Sequence, residues 1–154
     1  MTEDLGAAVR RRAGNRCEYG HLPQDAFRRP FHIEHIIAKQ HGGQTELENL
    51  ALACWYCNLK KGPNLAGIDP QSGNTVPLFN PRKDEWADHF ALSVWSLGTP
   101  SIEIKGQTST GRATVRVLGM NDEMRRALRY ELWREGIHAR DVFACWLLLQ
   151  RGPG

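Results

Sequence analysis

A chain of 154 residues, 41% hydrophobic and 24% charged, has the composition of an ordinary globular protein and the length of one domain. Its formal net charge of +3 suits a polyanionic partner without requiring one. No run of roughly 18 apolar residues is present, which excludes a membrane-spanning helix. The opening MTEDLGAAVRRR starts acidic and has no apolar centre, so a secretory signal is not expected and the expected address is the cytoplasm. Four cysteines in that compartment read as metal ligands or buried thiols ahead of disulfides.

In chain order, residues 3–13 read as a short helix with Leu5, Ala8 and Val9 on one side, ending at Ala13-Gly14-Asn15. Phe31 to Ile37 is rich in β-branched and aromatic residues and reads as a strand. Gln40-His41-Gly42-Gly43-Gln44 is a turn, Asn49 to Cys54 a second strand, and Trp55 to Lys61 a short helix closed by Gly62-Pro63. Residues 63–81, with prolines and glycines throughout, read as a covering loop, and Arg82 to Phe90 as a turn or short helix. Ile102 to Lys105 and Ala113 to Val117 alternate and are expected to pair as a hairpin. Asp122 caps a helix from Glu123 to about Glu135, ended by Gly136, and Val142 to Leu149 forms a last apolar piece. The five tryptophans, Trp55 included, are most simply packing residues.

Two interleaved clusters carry the chemistry. Cys54-Trp-Tyr-Cys57 offers two thiolates on one turn, one edge of a tetrahedral zinc site, and Cys17 supplies a third. Gly20 stands where a second pair would be completed. His21 is the nearest residue able to replace it, the other reading being an exposed loop histidine. Cys145, in the apolar tail, reads as a buried thiol. The second cluster is Glu34-His35 with Asn49 and Asn58. A carboxylate and an amide oxygen suit a hard divalent cation, and an imidazole beside them suits a general base near neutral pH. Basic residues gather at Arg10, Arg11, Arg12 and Arg16, and at Arg28, Arg29, Lys39, Lys60 and Lys61. Such clusters contact phosphates or simply stay solvated.

The ordered set Cys17-Glu-Tyr-Gly20, Glu34-His35, Gly42-Gly43, Asn49-Leu50, Cys54-Trp-Tyr-Cys57-Asn58 and Lys61-Gly62 resembles the signature of the HNH endonucleases. The stretch from Leu78-Phe-Asn-Pro-Arg to Thr110-Gly-Arg-Ala-Thr-Val-Arg-Val-Leu-Gly-Met-Asn is similar to the tail of many small prokaryotic HNH proteins. The resemblance implies an α+β fold with a ββα-metal nuclease centre, zinc-type cysteine half-sites, and a C-terminal β-hairpin and helix. It implies one domain over 1–154, with the nuclease core at 17–62 and an extension at 78–154 packed on it.

The same resemblance implies that His35 is the general base and that Glu34 and Asn58 hold the catalytic ion. Asn49 would steady the backbone around His35. Cys17, Cys54 and Cys57, with His21 as candidate fourth ligand, would hold a structural zinc. Asn58 in place of a histidine favours magnesium or manganese as the catalytic ion. The implied partner is DNA, with RNA the alternative. Arg16, Lys39, Lys60 and Lys61 are its candidate contacts, no membrane is involved, and the oligomeric state is left open. A zinc-stabilised DNA-binding module without catalysis is the competing reading.

Overall fold

The computed structural model describes residues 3–95 and 98–136. Helix α1 (Glu3–Arg12) buries Val9 and ends where Gly14 and Asn15 take the left-handed conformation, at φ 59° and 57°. Its Arg12 guanidinium reaches the carbonyls of Leu47, at 2.7 Å, and Leu50, at 2.5 Å, fastening the helix to the chain that enters the second strand.

Strand β1 (His32–His35) pairs antiparallel with β2 (Leu50–Ala53), His32 opposite Ala53 and His35 opposite Leu50. All four residues of β2 are buried, so this strand of a two-stranded sheet is covered on both faces, in keeping with its apolar sequence Leu-Ala-Leu-Ala. The chain turns at Cys54 into α2 (Trp55–Lys61), and Gly62 ends that helix at φ 49°. This segment follows the expected order of strand, loop, strand and helix.

Beyond it the structure departs from expectation at two places. The segment expected to be an irregular covering loop holds a small hairpin, β3 (Ala66–Ile68) paired with β4 (Thr75–Pro77). Asp69 closes its turn through Ser72 and Gln71, and Arg112 grips both Asp69 oxygens, at 2.8 and 2.9 Å.

Residues 113–117 do not form a strand. After the short helix α3 (Trp86–His89), β5 (Phe90–Trp95) pairs with β6 (Ser101–Gly106), while Ala113 to Val117 belong to α4 (Ser109–Val117). The reason is local. The Thr108 side chain caps the helix by accepting from Gly111 N at 3.0 Å. Gly111 lies so close to the His89 carbonyl that a Cβ there would sit 2.1 Å from its oxygen. Ala113, Thr114, Val117 and Leu118 then fall at helical spacing on the inward side.

Helix α5 (Glu123–Arg134) starts, as predicted, at Asp122, whose side chain accepts from Arg125 N at 2.8 Å. Its inward stripe is Arg125, Arg129 and Leu132, all buried. Arg129 donates to the carbonyls of Ile102 and Met120, and Arg125 to that of Leu118 at 2.9 Å. Donation to backbone carbonyl oxygens compensates part of this buried charge, while Arg129 Nε has no partner among the described residues. No helix of the described residues is long and apolar enough to cross a membrane. The expected apolar piece Val142 to Leu149, with Cys145, lies outside the described residues.

Candidate metal and nuclease site

The three cysteines converge. Cys17, Cys54 and Cys57 are buried, and their Sγ atoms lie within 4.8 Å of one another. Two tight turns achieve this. Cys54 is the N-cap of α2, its Sγ accepting from Cys57 N at 3.5 Å. Opposite it, the turn at Cys17 closes as His21 N donates to Cys17 O at 2.8 Å and Gly20 N to Cys17 Sγ at 3.4 Å. Both partners then lock this turn: Glu18 N donates to Leu52 O at 2.8 Å, and Trp86 Nε1 donates to Tyr19 O at 2.8 Å.

Hydrogen bonds from Cys17 and Cys57 hold the Cys54 thiol well below the ordinary thiol range, while burial pushes Cys17 up. One proton-poor sulfur in a buried trio of thiols is a donor set that fits a thiophilic ion such as zinc. The Arg125 guanidinium stands 3.5 Å from Cys57 Sγ and over the Tyr56 ring, 5.1 Å from its centroid. It places a fixed positive charge beside the thiolates.

The fourth position is informative. His21 adopts φ 60°, and its ring stacks on Trp86 at 4.4 Å; the gathered trio does not include it. Gly20, by contrast, has a backbone on which an added Cβ would point at Cys57 Sγ from 3.8 Å, an ordinary contact. Gly20→Cys is therefore expected to fold and to tighten zinc binding by completing four thiolates. Chelator competition checks this, with weaker retention in the variant as the contrary result.

Glu34 and His35 follow each other on β1 and so face opposite sides. Glu34 is buried. Tyr19 donates its hydroxyl to Glu34 Oε1, and Lys61 Nζ lies 3.5 Å from Oε2. Burial outweighs these partners and pushes the carboxyl up to about 7. Lys61 is itself buried, donating to Ile36 O at 2.8 Å, rather than exposed as a phosphate contact would require. Lys60, Lys39 and Arg16 differ from it: the first two are exposed, and Arg16 is partly so, donating to His21 O at 3.3 Å.

His35 is partly exposed, its Nε2 2.8 Å from Thr45 Oγ1, and burial together with Lys39 lowers its pKa. Asn58 sits on α2, partly exposed, and its side-chain amide makes no hydrogen bond among the described residues.

Asn49 is buried and makes three bonds. Its Oδ1 accepts from Ile37 N at 2.9 Å, and its Nδ2 donates to Ile37 O at 3.0 Å and Gln44 O at 2.9 Å. It thereby ties the exit of β1 to the glycine loop. Gly43 is required there, because a Cβ would fall 1.7 Å from Ile37 O. Asn49→Ala is expected to cost about 3 kcal/mol, since it strands buried backbone groups. Urea denaturation measures this, and a loss under about 1 kcal/mol would contradict it.

Residues 17–64 match the family model described as HNH endonuclease, under a third of the 154 residues. No similar protein was found among curated proteins, and no similar fold among solved structures. The match points to a nuclease in general terms and to dependence on divalent metal. The chain also uses residues to which the sequence assigned no such part: Tyr19 on Glu34, Trp86 on the cysteine turn and Arg125 on Cys57, while Lys61 meets Glu34 instead of a phosphate.

Proposed function

We propose that the protein is a metal-dependent endonuclease that hydrolyses phosphodiester bonds in DNA, built on a ββα-metal centre with a zinc knuckle beneath it. The observation that carries this reading is the meeting of the HNH match with a convergent cysteine trio and an accessible His35 on the adjoining strand. If His35 Nε2–H is donated to Thr45, Nδ1 is left basic and able to take a proton from the attacking water. Asn49 holds the backbone that carries His35.

Glu34 and Asn58 are a carboxylate and an amide oxygen, the donor chemistry of magnesium or manganese, and they would hold the catalytic ion. When bound, that ion supplies charge stabilisation at the scissile phosphate. To take part, Glu34 exchanges its contact with Lys61, which neutralises the buried carboxylate meanwhile. The zinc would be held by Cys17, Cys54 and Cys57, and His21, stacked on Trp86 outside the gathered trio, would join as fourth ligand only with a rearrangement of the turn. Lys60, Lys39 and Arg16, exposed or partly so, would be the cations that meet DNA phosphates.

A zinc-stabilised DNA-binding module without catalysis is the second reading, favoured by the engagement of both Glu34 oxygens. Metal titration of cleavage separates the two. Glu34→Ala and Asn58→Ala should each raise the divalent-ion concentration needed for cleavage. Unchanged activity in both variants would remove them from the site.

The pH profile carries a sign. A base must be neutral to accept a proton, and the His35 pKa lies below its ordinary 6.5. At saturating cation, cleavage should therefore rise with pH along a limb centred below 6.5 and level off by neutrality. A limb centred above 6.5 would assign it to another group.

A further inference from the structure

Beside the metal turn lies a cavity of about 290 Å³ that the nuclease reading does not use, lined by Phe27, Arg28, Arg29, Phe31, Trp55 and Tyr56. We infer that it receives an unpaired base of the DNA strand, stacked against Trp55, while Arg28 and Arg29 hold the flanking phosphates. The inference rests on the proposal that DNA is the substrate, and it specifies which form of DNA is engaged.

Several features of the walls support a flat aromatic occupant. Trp55 is 45% exposed although it is the first residue of α2, directly after a cysteine of the trio. The packing expected of it from sequence is therefore only partly realised. Its ring meets Tyr56 edge-on at 5.2 Å, and Arg125 sits over the Tyr56 ring, which fixes that wall. Phe31 is buried and packs at 5.3 Å against Phe27, fixing the other. The volume lies just under that of drug-sized ligand cavities, roughly 300 to 1,000 Å³, which suits a single flat ring system.

Two exposed arginines beside an aromatic cleft give it the charge that a phosphate backbone complements. Aromatic faces with flanking cations are the combination that binds single strands without reading their sequence. Position agrees as well. Trp55 precedes Asn58 by one helical turn, ~5 Å of rise. Phe31 precedes His35 by four residues of extended chain, ~13 Å. A base in the cavity thus leaves the strand within a few nucleotides of His35.

The test is binding of the full chain, without added divalent cation, to a labelled oligothymidine single strand and to a blunt mixed-sequence duplex. Trp55→Ala should weaken single-strand binding by roughly 10- to 100-fold and leave duplex binding within about twofold. Trp55→Phe should restore most of the loss. Arg28→Ala and Arg29→Ala should each flatten the salt dependence for the single strand by about 0.7 in log–log slope. A melting curve on each variant guards against unfolding, and if Trp55→Ala unfolds, Trp55→Phe and the arginine slopes decide.

Single-strand affinity that ignores Trp55, or an equal loss on single strand and duplex, overturns the inference. The outcomes stay separable from those of the nuclease proposal. A chain that binds single strands through Trp55 but never cuts refutes catalysis alone. One that cuts DNA with Trp55 silent refutes the cavity alone.

Discussion

His35→Ala is expected to reduce cleavage by about 10²–10⁴-fold while leaving the fold intact, the range that loss of a general base produces. The structure makes the second half of that expectation as firm as the first. The imidazole is partly exposed and, among the described residues, makes one side-chain hydrogen bond, to the exposed Thr45, so its removal strands no buried group there. A melting temperature near wild type with cleavage lost is therefore the expected pair of results. Cleavage at the wild-type rate would show that His35 is not the base. Loss of both folding and cleavage would show that the side chain does structural work its surroundings do not reveal.

Cys54→Ser should have the largest effect on stability, about 4 kcal/mol or more, together with loss of bound zinc. Cys54 belongs to three local arrangements at once: it caps α2, its sulfur belongs to the trio, and it follows directly on the fully buried β2. A metal held there ties the Cys17 turn to α2, and Arg125 extends the connection to α5. Its loss should loosen the whole neighbourhood rather than one loop. Elemental analysis of protein prepared without chelator, with thermal melts of wild type and variant, measures both effects. Absence of zinc with superimposable melts would mean that packing alone holds the cysteines together.

Where local pattern and tertiary demand agreed, the sequence was enough. β1, β2 and α2 could be read from β-branched residues, an apolar run and a glycine stop, and α5 from the Asp122 cap. Residues 113–117 failed because Ala-Thr-Val-Arg-Val satisfies a period of two as well as helical spacing. What decided was the Thr108 cap and the backbone contact at Gly111.

The α5 stripe was illegible for another reason. Its inward residues include Arg125 and Arg129, which a hydrophobic pattern counts as solvent-facing, and only the folded chain shows the carbonyls and the sulfur they meet. At the candidate site the cysteine spacing foretold that Cys17, Cys54 and Cys57 would gather. It carried no sign that Lys61 would turn inward onto Glu34, or that His21 would stack on Trp86 instead of joining the cysteines.

The measurement that tests the central claim most directly is conversion of supercoiled plasmid to nicked or linear DNA by the purified chain, with magnesium, with manganese and with EDTA. The account predicts cleavage with either ion, none in EDTA, and almost none from His35→Ala under the permissive conditions. Intact plasmid throughout, with the protein folded and DNA bound, would contradict it and leave the non-catalytic DNA-binding module as the reading.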